Sequence, residues 1–204
     1  MDEKLNYIYE MYPDAKCELT YGNIFQLLIA VSLSAQTTDK RVNQCTPILF
    51  EKYKTIKDLA DANIEDVKSI IKPIGMTNTK AKNIIEIAKI IHYERKDSIT
   101  SDVNELLKLP GVGIKTINVL LAEGFKIPAF PVDTHVNRVA KRLKFAYISD
   151  SVEDVERKLK KKIPMDLWIQ MHHSMIFFGR YFCKAVSPKC ESCKLKAKCR
   201  VNYK

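Results

Sequence analysis

The stretch Leu109-Pro110-Gly111-Val112-Gly113-Ile114-Lys115-Thr116 narrows the possible folds of this chain more than any other. An apolar helical segment, Val103 to Lys108, runs into it, and a second, Ile114 to Gly124, runs out. Between them stand a proline and two glycines, so two helices must reverse on a tight turn whose backbone can approach another molecule closely. The first turn of the outgoing helix carries unpaired N–H groups, which suit a phosphate. A lysine is an unusual residue there. The helix dipole opposes a positive charge at that end and should make the Lys115 amine easier to deprotonate.

Helical periodicity extends over nearly the whole chain. Leu5, Ile8 and Tyr9 predict a short first helix ending near Pro13. Ile24, Phe25, Leu27, Leu28, Val31 and Leu33 predict a strongly apolar one that runs into Ser34-Ala35-Gln36-Thr37-Thr38-Asp39. One of Thr37, Thr38 and Asp39 caps the next helix, which carries Val42, Cys45, Ile48, Leu49 and Tyr53. Pro47 inside it predicts a bend or a break. Short helices are expected over 56–60 and 64–70, a turn at Pro73-Ile74-Gly75 and a long helix from Lys80 to Tyr93. Asp102 can cap the first helix of the hairpin. Further helices are expected over 132–143, 151–162 and 164–181. No two β-branched runs are long enough to pair, so the fold class is all-α. A seam is expected near Pro128–Pro131. It divides a helical lobe over 18–130 from a second over 131–204, onto which the N-terminal helix (1–17) packs back. The two would flank a cleft.

Charge points to a polyanion. Of 34 basic side chains 20 fall in residues 101–204, against only 10 of the 24 acidic ones, so this part carries the entire surplus. A nucleic acid fits that imbalance, although a lysine-rich solvated surface would produce it too. No leader-like segment and no apolar run of ~18 residues occurs, so a soluble cytoplasmic protein is expected. Its thiols would be reduced, and clustered cysteines then mean metal rather than disulfides.

Such a cluster stands at the C-terminal end. Cys183, Cys190, Cys193 and Cys199 read C-x6-C-x2-C-x5-C. Four cysteines suit zinc or an iron–sulfur cluster, and the single close pair leans modestly toward the latter. Lys184, Lys189, Lys194, Lys196, Lys198 and Arg200 lie within or beside it. A metal-fixed basic loop makes good phosphate contacts, and some of these charges also offset the thiolates. Free cysteine is commonly a small buried hydrophobe, and Cys17 and Cys45 are assigned no role.

In Val132-Asp133-Thr134-His135 the aspartate follows Lys115 by 18 residues. Alone, Asp133 or Thr134 reads as a helix N-cap and Lys115 as a phosphate contact. In combination they read differently. LPGVG-x-K-T, then VDTH, then the four cysteines resemble the endonuclease III family of DNA glycosylases. The resemblance runs from about Ile24 to Cys199. It includes Leu33-Ser34-Ala35-Gln36 with Asp39, Gly75 with Asn78-x-Lys80-Ala81-x-Asn83-Ile84-Ile85, and His172-His173 followed by Gly179-Arg180.

The resemblance implies a two-lobed helix-hairpin-helix glycosylase fold with a [4Fe–4S] cluster on the four cysteines. It implies a monomeric enzyme acting on double-stranded DNA that contains damaged pyrimidines or abasic sites, associated with the nucleoid through that DNA. Lys115 matches the nucleophile and Asp133 the essential carboxylate. Gln36 and Met76 match the residues that fill the gap left by an extruded nucleotide. Leu109, Gly111, Gly113, His135, Lys184 and Lys194 are the further DNA contacts expected. Burial in the cleft and the helix N-terminus would both help Lys115 lose its proton. His135 and the His172-His173 pair are candidates for a place at or next to the chemistry, with a structural role the commoner case for histidine.

Three positions depart from the family pattern. Met76 stands in place of leucine, Thr77 in place of an aromatic, and Phe178 in place of histidine. The first two bear on lesion range and opposite-base preference, the third on packing. Two other readings compete. A monofunctional adenine or mismatch glycosylase of the same superfamily would lack the lysine and normally carry an extra C-terminal domain. A non-catalytic helix-hairpin-helix DNA-binding module would leave the Lys115–Asp133 pair without a purpose.

Overall fold

The structure, a computed structural model, describes residues 1–200. Among the described residues every regular element is a helix. In chain order these are α1 (Glu3–Met11), α2 (Ile24–Leu33), α3 (Asp39–Lys52), α4 (Ile56–Ala60), α5 (Ile64–Ile70), α6 (Thr77–Lys89), α7 (Val103–Leu107), α8 (Ile114–Val119), α9 (Thr134–Arg142), α10 (Val152–Lys160) and α11 (Trp168–Phe177). Three of them, α6, α8 and α11, run on into a widened π-turn, at Ile90–Glu94, Leu120–Gly124 and Phe178–Phe182.

Short polar side chains start most of these helices. Asp2, Asn23, Thr38, Thr55, Asn63, Asp102, Asp133 and Ser151 each accept a backbone N–H of the first turn. Thr38 is thus the cap expected from Thr37, Thr38 or Asp39. Three helices begin without a side-chain cap: α11 continues from a short 3-10 turn at Met165–Leu167, while α6 follows Met76 and α8 follows Gly113. In α6 and α8 no helical turn leads in. Their first N–H groups remain available to a ligand.

The chain divides into two compact units, residues 18–126 and residues 1–17 with 127–204. In the first, α2 is the central helix. Phe25, Leu27, Leu28, Ile29, Ala30, Val31 and Leu33 are all buried, which explains why it is apolar all round. Helix α6 packs on α2, α4 and α5 through Ala81, Ile84, Ile85, Ile87 and Ala88. It begins at Thr77, three residues before the expected start. Helix α3 is unbroken through Pro47, so of the expected bend or break the break does not occur. A helical φ suits the proline ring, so one backbone hydrogen bond is lost without ending the helix.

In the second unit α1, α9, α10 and α11 enclose Leu5, Ile8, Phe130, Val136, Val139, Leu143, Val155, Leu159, Met171, Met175 and Phe178. The N-terminal segment is tied in by side-chain bonds. Lys4 Nζ donates to the Leu143 carbonyl at 2.7 Å, Gln170 Nε2 to the Pro13 carbonyl at 2.7 Å, and Ser174 Oγ to the Tyr12 carbonyl at 2.9 Å. Phe178, the departure from the family pattern, is fully buried and stacks on Phe182 with ring centroids 5.2 Å apart.

Candidate active site

The hairpin residues separate by role. Leu109 is 2 % exposed. Its carbonyl accepts the Val112 N–H at 3.2 Å, which closes the turn. Its side chain is an anchor in the core. Gly111 has φ +73°, which glycine alone adopts readily. A Cβ there would stand 2.3 Å from Asn83 Nδ2, so α6 braces the turn directly. Gly113 has an ordinary backbone and nothing within 4 Å of where its Cβ would be. Its smallness leaves open space over the uncapped start of α8.

Lys115 lies on the first turn of α8 and is exposed. No hydrogen bond or ion pair among the described residues holds its amine. The expected burial is not what the structure gives, because a side chain on the first turn of a surface hairpin points away from the core that Leu109 and Ile117 fill. Its position at a helix N-terminus is as read.

In the same unit Gln36 and Met76 are both exposed, and both have left-handed backbones, with φ +56° and +48°. Such conformations cost about 1–2 kcal/mol in a residue that is not glycine. They turn two side chains outward from the ends of their loops. Thr77 is half-buried in the first turn of α6.

Asp133 belongs to the second unit. Its Oδ1 accepts the Val136 N–H at 2.8 Å, so it caps α9. The cap fixes the carboxylate, and no described residue hydrogen-bonds Oδ2. The cap at Asp133 is as expected. His135 is half-buried, with Nδ1 3.3 Å from Arg138 Nη2. Gly179 packs against its main chain: a Cβ there would come within 2.9 Å of His135 Cβ and 3.3 Å of its carbonyl oxygen. His172 and His173 are buried in α11, His172 edge-on to Phe130.

Cys183, Cys190, Cys193 and Cys199 line one cavity of ≈ 60 Å³, walled also by Leu143, Phe178, Phe182 and Pro188. Burial pushes the Cys193 and Cys199 thiols up, and each is pushed further by the neighbouring thiols, Cys183 and Cys190 among them. All four therefore share one electrostatic neighbourhood. No group of three or more His, Cys, Asp or Glu side chains among the described residues is arranged to hold a metal ion. The four cysteines all line this one cavity. Arg142, missed in the sequence, is 8 % exposed. It donates to Cys183 Sγ at 3.4 Å and to the carbonyls of Lys184 at 2.6 Å and Ala185 at 3.2 Å. Arg138 donates to the carbonyls of Gly179 at 2.6 Å and Cys183 at 3.2 Å, and burial lowers its pKa. Both lie one helical turn apart on α9, a spacing that was the only available sign of them.

The loop's cations also divide. Lys196 pairs with Glu191 at 2.8 Å and Lys198 with Glu3. Arg200 binds the carbonyls of Lys141 and Ala146. Lys184, Lys189 and Lys194 are exposed and have no acidic partner among the described residues.

Comparison with known proteins accords with this arrangement. Residues 29–165 match the family model "HhH-GPD superfamily base excision DNA repair protein". Endonuclease III of Bacillus subtilis (strain 168) is 47% identical over 200 residues, covering 98% of this chain and 91% of that protein. Endonuclease III of Escherichia coli (strain K12) is 41% identical over 202 residues, 99% and 95% of the two chains. A non-covalent endonuclease III–DNA complex superposes with a TM-score of 0.93 at 49% identity, covering 97% of this chain and 92% of that one. A trapped endonuclease III–DNA covalent intermediate gives 0.92 at 49% identity, with 96% and 92% covered. This chain belongs to the endonuclease III family, within the HhH-GPD superfamily of base-excision DNA repair proteins.

Proposed function

We propose that this chain is a bifunctional DNA glycosylase and abasic-site lyase that removes oxidised pyrimidines from duplex DNA through a Schiff base on Lys115. The observation that carries the reading is the exposed, unpaired amine of Lys115 on the uncapped first turn that leaves the Gly111–Gly113 hairpin.

A glycosidic bond inside a duplex is out of reach, so the damaged nucleotide is flipped out of the stack. Met76 wedges into the gap as an apolar side chain, and the Gln36 amide hydrogen-bonds the orphaned partner base. Backbone N–H groups at Gly111 and Gly113 hold a phosphate of the damaged strand. Neutral Lys115 attacks the sugar C1′. The C1′–N bond breaks and the base departs with the bonding electrons, taking up a proton. Ring opening leaves an imine between C1′ and Nζ. Loss of a C2′ proton then expels the 3′ phosphate by β-elimination, and water releases the lysine. The Asp133 carboxylate stabilises positive charge on the sugar and accepts the proton of the attacking amine.

Cys183, Cys190, Cys193 and Cys199 would hold a [4Fe–4S] cluster. Thiols spaced around a cavity suit a group whose four ligand positions are spread over four irons better than they suit one ion. When bound, the cluster fixes the basic loop, so that Lys184, Lys189 and Lys194 can face phosphates. His135, lying against Gly179, would support the start of α9 beside Asp133. No observation favours the adenine-glycosylase or non-catalytic reading.

Borohydride trapping on a duplex with an oxidised pyrimidine or an abasic site tests the reaction. A covalent protein–DNA adduct is expected from the wild type and none from Lys115→Gln. An undiminished adduct with Lys115→Gln, or none with the wild type, would overturn the mechanism. Yellow-brown protein with iron and sulfide is expected; a colourless protein with one equivalent of zinc would remove the cluster.

A further inference from the structure

Lys80 is a buried charge that the mechanism above does not use. It lies on α6 with 6 % of its surface exposed, and burial lowers its pKa. Its Nζ donates to the Leu33 carbonyl at 2.9 Å and to the Ile74 carbonyl at 3.4 Å. No carboxylate pairs with it among the described residues. Taking an ammonium out of water onto neutral carbonyls is costly, and an apolar side chain of similar size would spare the fold that cost. The two acceptors supply a reason for the charge. Leu33 is the last residue of α2, where the helix dipole favours a cation, and Gln36 follows it by three residues. Ile74 precedes Met76 by two. One ammonium therefore ties together the roots of the two loops that carry the exposed left-handed residues Gln36 and Met76.

The same helix extends the connection. Lys80 and Asn83 fall at i and i+3, on one face of α6, and Met76 is the residue from which that helix starts. Asn83 is the side chain that abuts Gly111 of the hairpin. A single rigid helix thus spaces the wedge, the lysine tie and the phosphate turn.

We propose that Lys80 is a positioning residue for nucleotide extrusion: it locks the Gln36 and Met76 loops into one two-pronged unit, so that both enter the duplex together. The proposal rests on the reading of Gln36 and Met76 as gap-filling residues. Independent loops would each have to hold a strained backbone while displacing stacked bases. A shared tie makes the conformation of one loop depend on the other.

Lys80→Met tests this, with Lys80→Gln as a second variant in case the first does not fold; circular-dichroism melting checks both. Three quantities are then read in single-turnover reactions. Schiff-base trapping on an abasic site in single-stranded DNA, which needs no extrusion, should stay close to wild type. Excision of a base-paired oxidised pyrimidine should fall roughly ten- to a hundredfold, as expected for a misplaced site. The rise in 2-aminopurine fluorescence placed opposite the lesion should be lost. A double-mutant cycle separates positioning from general damage. Gln36→Ala and Met76→Ala should be non-additive in the wild-type background and additive in Lys80→Met. Full excision and an intact fluorescence rise in a folded Lys80 variant would overturn the proposal, as would coupling that survives there. If Gln36→Ala and Met76→Ala each leave extrusion unchanged, the gap-filling reading fails and the proposal falls with it.

Discussion

Gly111 and Gly179 show how single residues set the site. At Gly111 two demands coincide, a φ of +73° and contact with Asn83. Gly111→Ala should lower stability by about 1–3 kcal/mol from strain and overlap together. Adding Asn83→Ala should recover the overlap and leave the φ cost of about 1 kcal/mol, which urea titration of the single and double variants would resolve. At Gly179 the obstacle includes the His135 main chain, which cannot move aside like a flexible side chain. Gly179→Ala should therefore cost about 1–3 kcal/mol, read as a lower urea midpoint, with no simple rescuing partner. Both glycines were visible in the sequence, the first as a tight turn and expected DNA contact and the second only as part of a motif, but neither revealed the side chain or backbone it would meet. Leu109 and Lys115 are the opposite case. Their periodicity could not say which of two motif residues points inward, and the core claimed Leu109.

Helix starts are the level at which structure and chemistry overlap. Asp133 caps α9 and carries the proposed carboxylate, and two substitutions separate these duties. Asp133→Asn keeps an acceptor for the Val136 N–H and should leave stability nearly unchanged while abolishing excision. Asp133→Ala should lose the cap as well, about 1 kcal/mol by thermal or urea melting. Asn and Ala variants of equal stability would argue against the cap. Helix α4 gives a pH prediction. Backbone and hydroxyl hydrogen bonds from Thr55 hold the Asp58 carboxyl below its ordinary value. A depressed folded-state pKa stabilises the fold above the unfolded-state value, and that contribution is lost as pH falls through the folded-state value. Asp58→Asn should thus flatten the acid side of the stability curve, checked by melting between about pH 2 and 6. Caps of this kind were readable as Ser, Thr, Asp or Asn before apolar periods. The uncapped starts of α6 and α8 were not, since only the coordinates show that no side chain reaches back.

Across the whole molecule the decisive quantity is the uneven charge. A net charge of +10 predicts DNA binding that weakens steeply with salt. Lys184→Ala and Lys194→Ala should each reduce the slope of log affinity against log salt by about one. Lys196→Ala and Lys198→Ala should change it less, because both lysines already face acidic side chains. Fluorescence anisotropy at several salt concentrations distinguishes the two sets. Composition counted these lysines alike, and only the folded loop assigned some to carboxylates and left others to solvent.

The sequence by itself determined the helical class, most helix positions and the hairpin, and it named the residues proposed to react, because these follow from local periodicity, capping chemistry and motif order. The tertiary structure alone decided what depends on residues far apart in the chain. It set Lys80 beneath both Leu33 and Ile74, pressed Asn83 against Gly111, and turned Arg142 onto Cys183. It also kept Lys115 exposed where burial was expected, and carried α3 through Pro47. Burial and hydrogen-bond partners are properties of the packed chain, and no local spacing encodes which distant carbonyl an ammonium will find.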